Sequence, residues 1–187
     1  MPIILCPGIH DPALTADFWA AIESVTLPNT LFSALPAPYV VPDAQYWGFS
    51  PAHILQFLHQ NVSTTQPLVI IGFSAGVVGM AGAAWAWQQQ GGTLRALIAL
   101  DGWGVPLYGS FPIYRLSHDG FTHRSSQALG MGQDPFHAEP GVPHLDLWRS
   151  PQDAWGWWRI DSAPQWVNAA IVVRHLLFRH CERSVSA

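Results

Sequence analysis

At 187 residues the chain is sized for one domain, 1–187, able to bury roughly 70% of the surface its unfolded form exposes. Hydrophobic residues make up 49% of it, charged residues only 11%, and the net charge is -4, so a nucleic-acid binder's basic footprint is missing. All eight cations are arginine, and the lack of lysine excludes Schiff-base chemistry on a lysine and the Walker-type phosphate lysine.

Cys6 and Cys181 form no C-x-x-C pair, so no disulfide framework is expected. The opening MPIILCPG carries neither a charged leader nor a long apolar region, and no apolar run approaches the ~20 residues of a membrane span. The expectation is a cytoplasmic protein with no nucleic-acid partner and no membrane span.

In chain order, residues 3–6 form a short apolar run closed by Pro7-Gly8, hence a first buried strand. Residues 14–25 have helical spacing, with Thr15 or Asp11 as cap. Residues 31–35 are a weaker strand, since Pro36, Pro38 and Pro42 interrupt the chain directly after it. Ser50-Pro51 opens a helix through Asn61, with Ile54, Leu55, Phe57 and Leu58 inward. The apolar β-branched run 68–71 is a strand buried on both faces. A helix over 75–90 comes next, stopped by Gly91-Gly92. Strands are expected over 94–100, 112–116 and 135–138, and a closing helix over 163–178. Strands alternating with helices predict an α/β fold: a predominantly parallel six-stranded sheet with helices on both faces.

The chain is organised around LVIIGFSAGVVGM, beginning at Leu68. Gly72-x-Ser74-x-Gly76 between a strand and a helix lifts a serine out of a sharp turn at the carboxyl edge of the sheet. Ser74 is therefore the candidate nucleophile. A serine hydroxyl needs a base within hydrogen-bond reach, itself oriented by a carboxylate. Two later strands end in acids, at Asp101 and Asp119, and the loop after the last strand carries His144. Asp119 is preferred as the acid and Asp101 is its rival. His144 is preferred as the base over His118 and His123.

These residues resemble the α/β-hydrolase superfamily in its compact form without a lid. The order Ser, acid, His is the family's chain order. FPIYRLSHDGFTH looks like its penultimate strand with the acid, and FHAEPGVPHLDLW like its last strand with the histidine. The resemblance runs from Ile3 to the C-terminal helix. Two features depart from it: the strands that normally precede the first are missing, and only residues 102–111 link the Asp101 strand to the next. An oxyanion hole requires two donors. The Ala75 amide is the natural first, and the Ile9 amide the second, although Pro7-Gly8 stands where such families usually show His-Gly.

Ten tryptophans exceed what packing requires, and Trp148, Trp155, Trp157, Trp158 and Trp166 crowd the segment after His144. They either cover sheet surface or, for Trp47, Trp103 and Trp148, wall a pocket beside the serine; His10 is a further pocket candidate. The expected activity is hydrolysis of ester or thioester bonds of a small, partly apolar substrate through an acyl-enzyme on Ser74, with no metal and no cofactor. Two other readings stand beside it. One is a metal-assisted hydrolase using His118, Asp119, His123, His137 and His144. The other is a non-catalytic binding protein on the same fold.

Overall fold

The computed structural model describes residues 1–27, 34–42, 49–130, 132–160 and 163–182. It is an α/β fold built on one mixed, mostly parallel sheet of eight strands. The elements run β1 (Ile3–Cys6), α1 (Ala13–Ser24), β2 (Tyr39–Val40), α2 (Pro51–Asn61), β3 (Leu68–Phe73), α3 (Ala75–Gln89), β4 (Leu94–Leu100), β5 (Ile113–Ser117), α4 (Gly120–Ser126), β6 (Gln133–Ala138), α5 (Asp146–Arg149), β7 (Trp155–Ile160), β8 (Ala163–Asn168) and α6 (Ala169–Glu182). The strand order is β2-β1-β3-β4-β5-β6-β7-β8. Strands β2 to β6 are parallel, and β7 and β8 extend the sheet antiparallel.

Alternation along each inner strand divides the apolar residues between two layers. Ile3, Leu5, Val69, Ile71, Ile98 and Leu116 meet α1, α5 and α6 on one face. Ile4, Cys6, Ile70, Leu97 and Ala99 meet α2 and α3 on the other. Two of the capping signals work as their chemistry requires. Ser50 Oγ accepts from the His53 amide with Pro51 at the first helical position, and Gly91 turns the chain at φ +86°. At α1 the expected cap is not found: the N-cap is Pro12 with no side-chain cap bond, Thr15 is buried within the helix, and Asp11 Oδ1 accepts from the Ala13 amide from one residue before the cap.

Three expectations require correction. The sheet has eight strands rather than six, because Trp155–Ile160 and Ala163–Asn168 form an antiparallel hairpin beyond β6. The helix expected over 163–178 therefore starts at Ala169. Residues 163–168 are drawn into the sheet by the pairs Trp157↔Trp166 and Trp158↔Gln165, and cross-strand contacts of this kind stabilise a strand over its local helical spacing. The second strand is Tyr39–Val40, at the sheet edge where flanking prolines are tolerated. Of the segment 31–35, residues 31–33 lie outside the described residues and 34–35 are not in a strand.

Among the described residues no helix is long and apolar enough to cross a membrane. Because β1 and β3 to β6 run parallel, Cys6, Phe73, Leu100, Ser117 and Ala138 all end on one edge of the sheet. The loops that carry Ser74, Asp101 and His144 leave from that edge.

Candidate active site

Ser74 follows the last residue of β3 and precedes the first of α3, at φ +53° and ψ -120°. A non-glycine residue in this region is strained and persists only where its surroundings hold it. The surroundings are specific. A Cβ on Gly76 would lie 2.1 Å from the Cys6 carbonyl oxygen, and one on Gly8 would lie 3.0 Å from Ser74 Cβ. A Cβ on Gly72 would meet Met80 Sδ at 2.4 Å. The glycines thus let α3, β1 and the loop after β1 close around the serine. The Ser74 amide donates to the Leu100 carbonyl (3.0 Å), which fixes the turn to the end of β4.

Asp101 stands directly after β4, also at φ +53°, and its carboxylate is 1% exposed. Its amide donates to the Leu116 carbonyl (2.9 Å). Oδ1 accepts from the His118 amide (2.8 Å), and Oδ2 lies 2.8 Å from His144 Nδ1. A carboxylate only accepts, so Nδ1 of His144 carries the proton in this contact. Nε2 is then the basic nitrogen of the neutral ring, the tautomer a general base requires.

The His144 loop is docked on the neighbouring strand end. The Val142 amide donates to the His118 carbonyl (2.9 Å), and a Cβ on Gly141 would lie 2.8 Å from Asp119 Cβ. The imidazole stacks on Phe73, the residue before Ser74, with centroids 4.7 Å apart and planes at 23°. Phe73 in turn stacks on Trp148 (5.2 Å), and Trp148 on Phe18 (3.8 Å).

Asp119 does not reach His144. It is the N-cap of α4, its Oδ1 accepting from the Thr122 amide at 2.7 Å. Burial alone would raise its carboxyl pKa, but the Thr122 contacts and the nearby His118 hold it below the ordinary value. The carboxylate that contacts His144 is that of Asp101, the rival acid; the structure does not bring Asp119 and His144 together. A strand-end acid followed by Gly-Phe-Thr satisfies a helix terminus first.

His118 lies between the two acids. Its Nδ1 is 2.9 Å from Asp101 Oδ2, outside hydrogen-bond alignment, and its Nε2 is 3.5 Å from Asp119 Oδ2. The Asp101 carboxylate raises the His118 pKa against the opposing effect of burial, with Asp119 adding to the rise. The donor atoms of Asp101, His118 and His144 lie within 4.8 Å of one another.

Ser74, Ala75, Asp101, His118 and His144 open onto one cavity of about 580 Å³, with Val78, Trp103, Val105 and Phe121 as its apolar rim. Among the described residues no hydrogen bond joins Ser74 to His144. Such bonds are commonly long before substrate binds. Ile9 lies two residues from Pro7 on the loop packed over Ser74 and is 59% exposed. Trp103 lines the cavity and donates from Nε1 to Ser125 Oγ (3.0 Å), tying the rim to α4.

Two residues expected at the pocket lie outside the Ser74 cavity. Trp148 is fully buried, stacked in the core and donating to Thr15 Oγ1, so it supports His144 from beneath through Phe73. His10 lines a separate cleft with Pro12, Val40 and Val41. Trp47 lies outside the described residues. His123 and His137 stack on each other (4.7 Å) away from this cavity.

Arg115 is a participant the sequence alone did not single out. It is 4% exposed, and its guanidinium donates to the carbonyls of Gly102, Val105, Leu129 and Gly130, pinning the loop that carries the cavity rim. An arginine inside the apolar strand Ile-Tyr-Arg-Leu was the available signal, since such a charge is buried only when fully paired. A scan against protein-family models returned no match, and a search of curated proteins found none similar to the chain.

Proposed function

We propose that the protein is a serine hydrolase of the compact α/β-hydrolase type, cleaving ester or thioester bonds of a small, partly apolar acyl substrate. The observation that carries this reading is one pocket shared by a strained strand-end serine and by His144, whose Nδ1 is paired with the buried Asp101. In this mechanism Ser74 Oγ attacks the acyl carbon and His144 Nε2 takes its proton. The negative oxygen that develops is held by the Ala75 amide at the start of α3 and by the Ile9 amide. Collapse of the tetrahedral intermediate breaks the bond to the leaving alcohol or thiol, which receives the proton from His144. Water then attacks the acyl-enzyme, passes its proton to His144, and the carboxylic acid leaves as Ser74 is restored.

Asp101 rather than Asp119 is the orienting acid in this proposal. The open cavity with Val78, Trp103 and Phe121 at its rim suits an apolar acyl or aromatic group. The test is labelling by a fluorophosphonate together with hydrolysis of p-nitrophenyl esters of increasing chain length. Wild-type protein should label and turn over, and Ser74→Ala should do neither. An unlabelled, inactive wild-type protein would instead indicate a binding protein.

A second reading rests on the converging donors of Asp101, His118 and His144. Two imidazoles and a carboxylate suit zinc or iron(II). On that reading chelator abolishes ester hydrolysis, added zinc restores it, and Ser74→Ala retains it.

A further inference from the structure

The geometry points to a second ligand site, in the cleft between α4 and the β6–β8 extension, that takes a small planar aromatic anion such as an aromatic carboxylate. This inference is independent of the catalytic reading. The cleft has a volume of about 400 Å³, and its lining includes His123 and Gln127 from α4, His137 from β6, Trp157 and Arg159 from β7, and Pro164 from β8. It does not share a lining residue with the catalytic cavity, because α4 separates the two: Phe121 and Thr122 line one, His123 and Gln127 the other.

The shape follows from the strand register. In β7, Trp155, Trp157 and Arg159 face outward while Gly156, Trp158 and Ile160 face the core. Opposite them on β8 the pairs are Trp157↔Trp166 and Arg159↔Pro164, and on β6 His137 pairs with Trp157. One row of the sheet is therefore aromatic across three strands, and the cation stands on the same face of β7. Trp166 meets Trp157 edge-on, with centroids 5.0 Å apart and planes at 73°, so the Trp157 ring is held while 41% exposed. A fixed, half-exposed indole offers a flat apolar face to a ring.

The charge follows from composition and placement. The chain is acidic overall, yet Arg159 lines this cleft and has no ion-pair partner among the described residues. Arg124 lies close by on α4. Burial lowers the pKa of both histidines; His137 and the two arginines lower that of His123 further, whereas Glu139 and Asp119 oppose the fall at His137. The Glu139 carboxylate lies 3.9 Å from His137 Nε2 and does not line the cleft. Among the described residues the cleft is lined by one cation, two imidazoles and no acid, and is short of negative charge. A guanidinium beside a ring-binding face satisfies that deficit best with a planar carboxylate bound in bidentate fashion.

The probe is 2-naphthoate, with uncharged 2-naphthamide as its isostere, titrated calorimetrically into the full chain. The naphthoate should bind at least about tenfold more tightly than the amide, and Arg159→Gln should remove that difference. In wild-type protein, ring-proton resonances of His123 and His137 should move on titration. Ser74→Ala and prior fluorophosphonate treatment should leave the affinity unchanged. Arg159 is exposed, so Arg159→Gln should melt as wild type. Equal binding of acid and amide would overturn the inference, as would full affinity in Arg159→Gln. Unmoved histidine resonances would overturn it in wild-type protein without recourse to any variant, and competition by the phosphonate would place the ligand in the catalytic cavity instead.

Discussion

Ser74 and Asp101 directly follow neighbouring parallel strands, each at φ +53°. Neither is glycine, and each such conformation costs on the order of 1–3 kcal/mol. The strain is held by a relay of backbone bonds along the sheet edge: Ser74 N–H to Leu100, Asp101 N–H to Leu116, and His118 N–H to the Asp101 carboxylate. The two turns therefore fix each other, and with them the side chains at the pocket floor.

Asp101 and Asp119 are separable by substitution. Asp101→Asn replaces the acceptor that sets the His144 tautomer, and kcat for ester hydrolysis should fall by about 10⁴. Asp119→Asn keeps a capping side chain, and activity should stay within an order of magnitude of wild type. Asp119→Ala should lose about 1 kcal/mol of stability in urea unfolding through the missing cap. A fall in kcat confined to the Asp119 variants would reverse the assignment.

His118 competes with His144 for one carboxylate oxygen, Asp101 Oδ2. When protonated it also repels a proton on His144. Removing it in His118→Gln should leave that oxygen to His144 alone and move the acid limb of the kcat/KM profile to higher pH. The pH profile of p-nitrophenyl acetate hydrolysis reads this directly. An acid limb that stays in place would mean that His118 does not influence the base.

Two of the glycines around Ser74, Gly76 and Gly72, should not be equivalent. An alanine at Gly76 meets backbone, the Cys6 carbonyl, whereas one at Gly72 meets the movable end of Met80. Gly76→Ala should cost about 3 kcal/mol or more, and Gly72→Ala about 1–3 kcal/mol, the ordinary range for overpacking. Chemical denaturation ranks them, and equal losses would show that α3 can shift away from β1.

Much of this arrangement is legible in the sequence because it rests on local signals. Gly72-Phe73-Ser74-Ala75-Gly76 after four apolar residues marks a strand, a turn and a helix, and Ser50-Pro51 marks a helix start. The choice between Asp101 and Asp119 is not local. Both come after strands and precede a glycine, and only the sheet register shows Asp101 one strand closer to Ser74 while Asp119 is taken up by the Thr122 amide. The β7–β8 hairpin is hidden for a related reason. Its inward alternation of Gly156, Trp158 and Ile160 is clear only once β6 is known to lie beside it, and residues beyond Val167 do carry helical spacing.

Arg115 illustrates a long-range commitment of the same kind. Its contacts run to carbonyls at 102, 105, 129 and 130; Arg115→Met would leave those of Val105 and Gly130 without this donor, while Gly102 and Leu129 keep the Val105 and Leu107 amides. Each orphaned group costs about 1–3 kcal/mol, so the variant should lose about 2 kcal/mol or more in total. Thermal unfolding measures it, and a loss below 1 kcal/mol, less than about one unpaired group, would show that water replaces the guanidinium.

His123 and His118 should give the fold opposite dependences on pH. Burial pushes the His123 pKa from 6.5 down to about 4, with His137, Arg124 and Arg159 adding to the fall. As pH drops below 6.5 the unfolded chain takes a proton that the folded one refuses, so stability declines until about pH 4 and then levels. His118 is raised instead, so its contribution is fully present below the ordinary value of 6.5 and is lost as pH rises through its folded pKa. Melting temperatures between neutral and mildly acid pH separate the two. His123→Gln should lose less stability on acidification than wild type, and His118→Gln should lose more. If both variants followed the wild-type curve, neither imidazole would be linked to folding, and the burial of the His123–His137 stack would have to be weaker than its geometry implies.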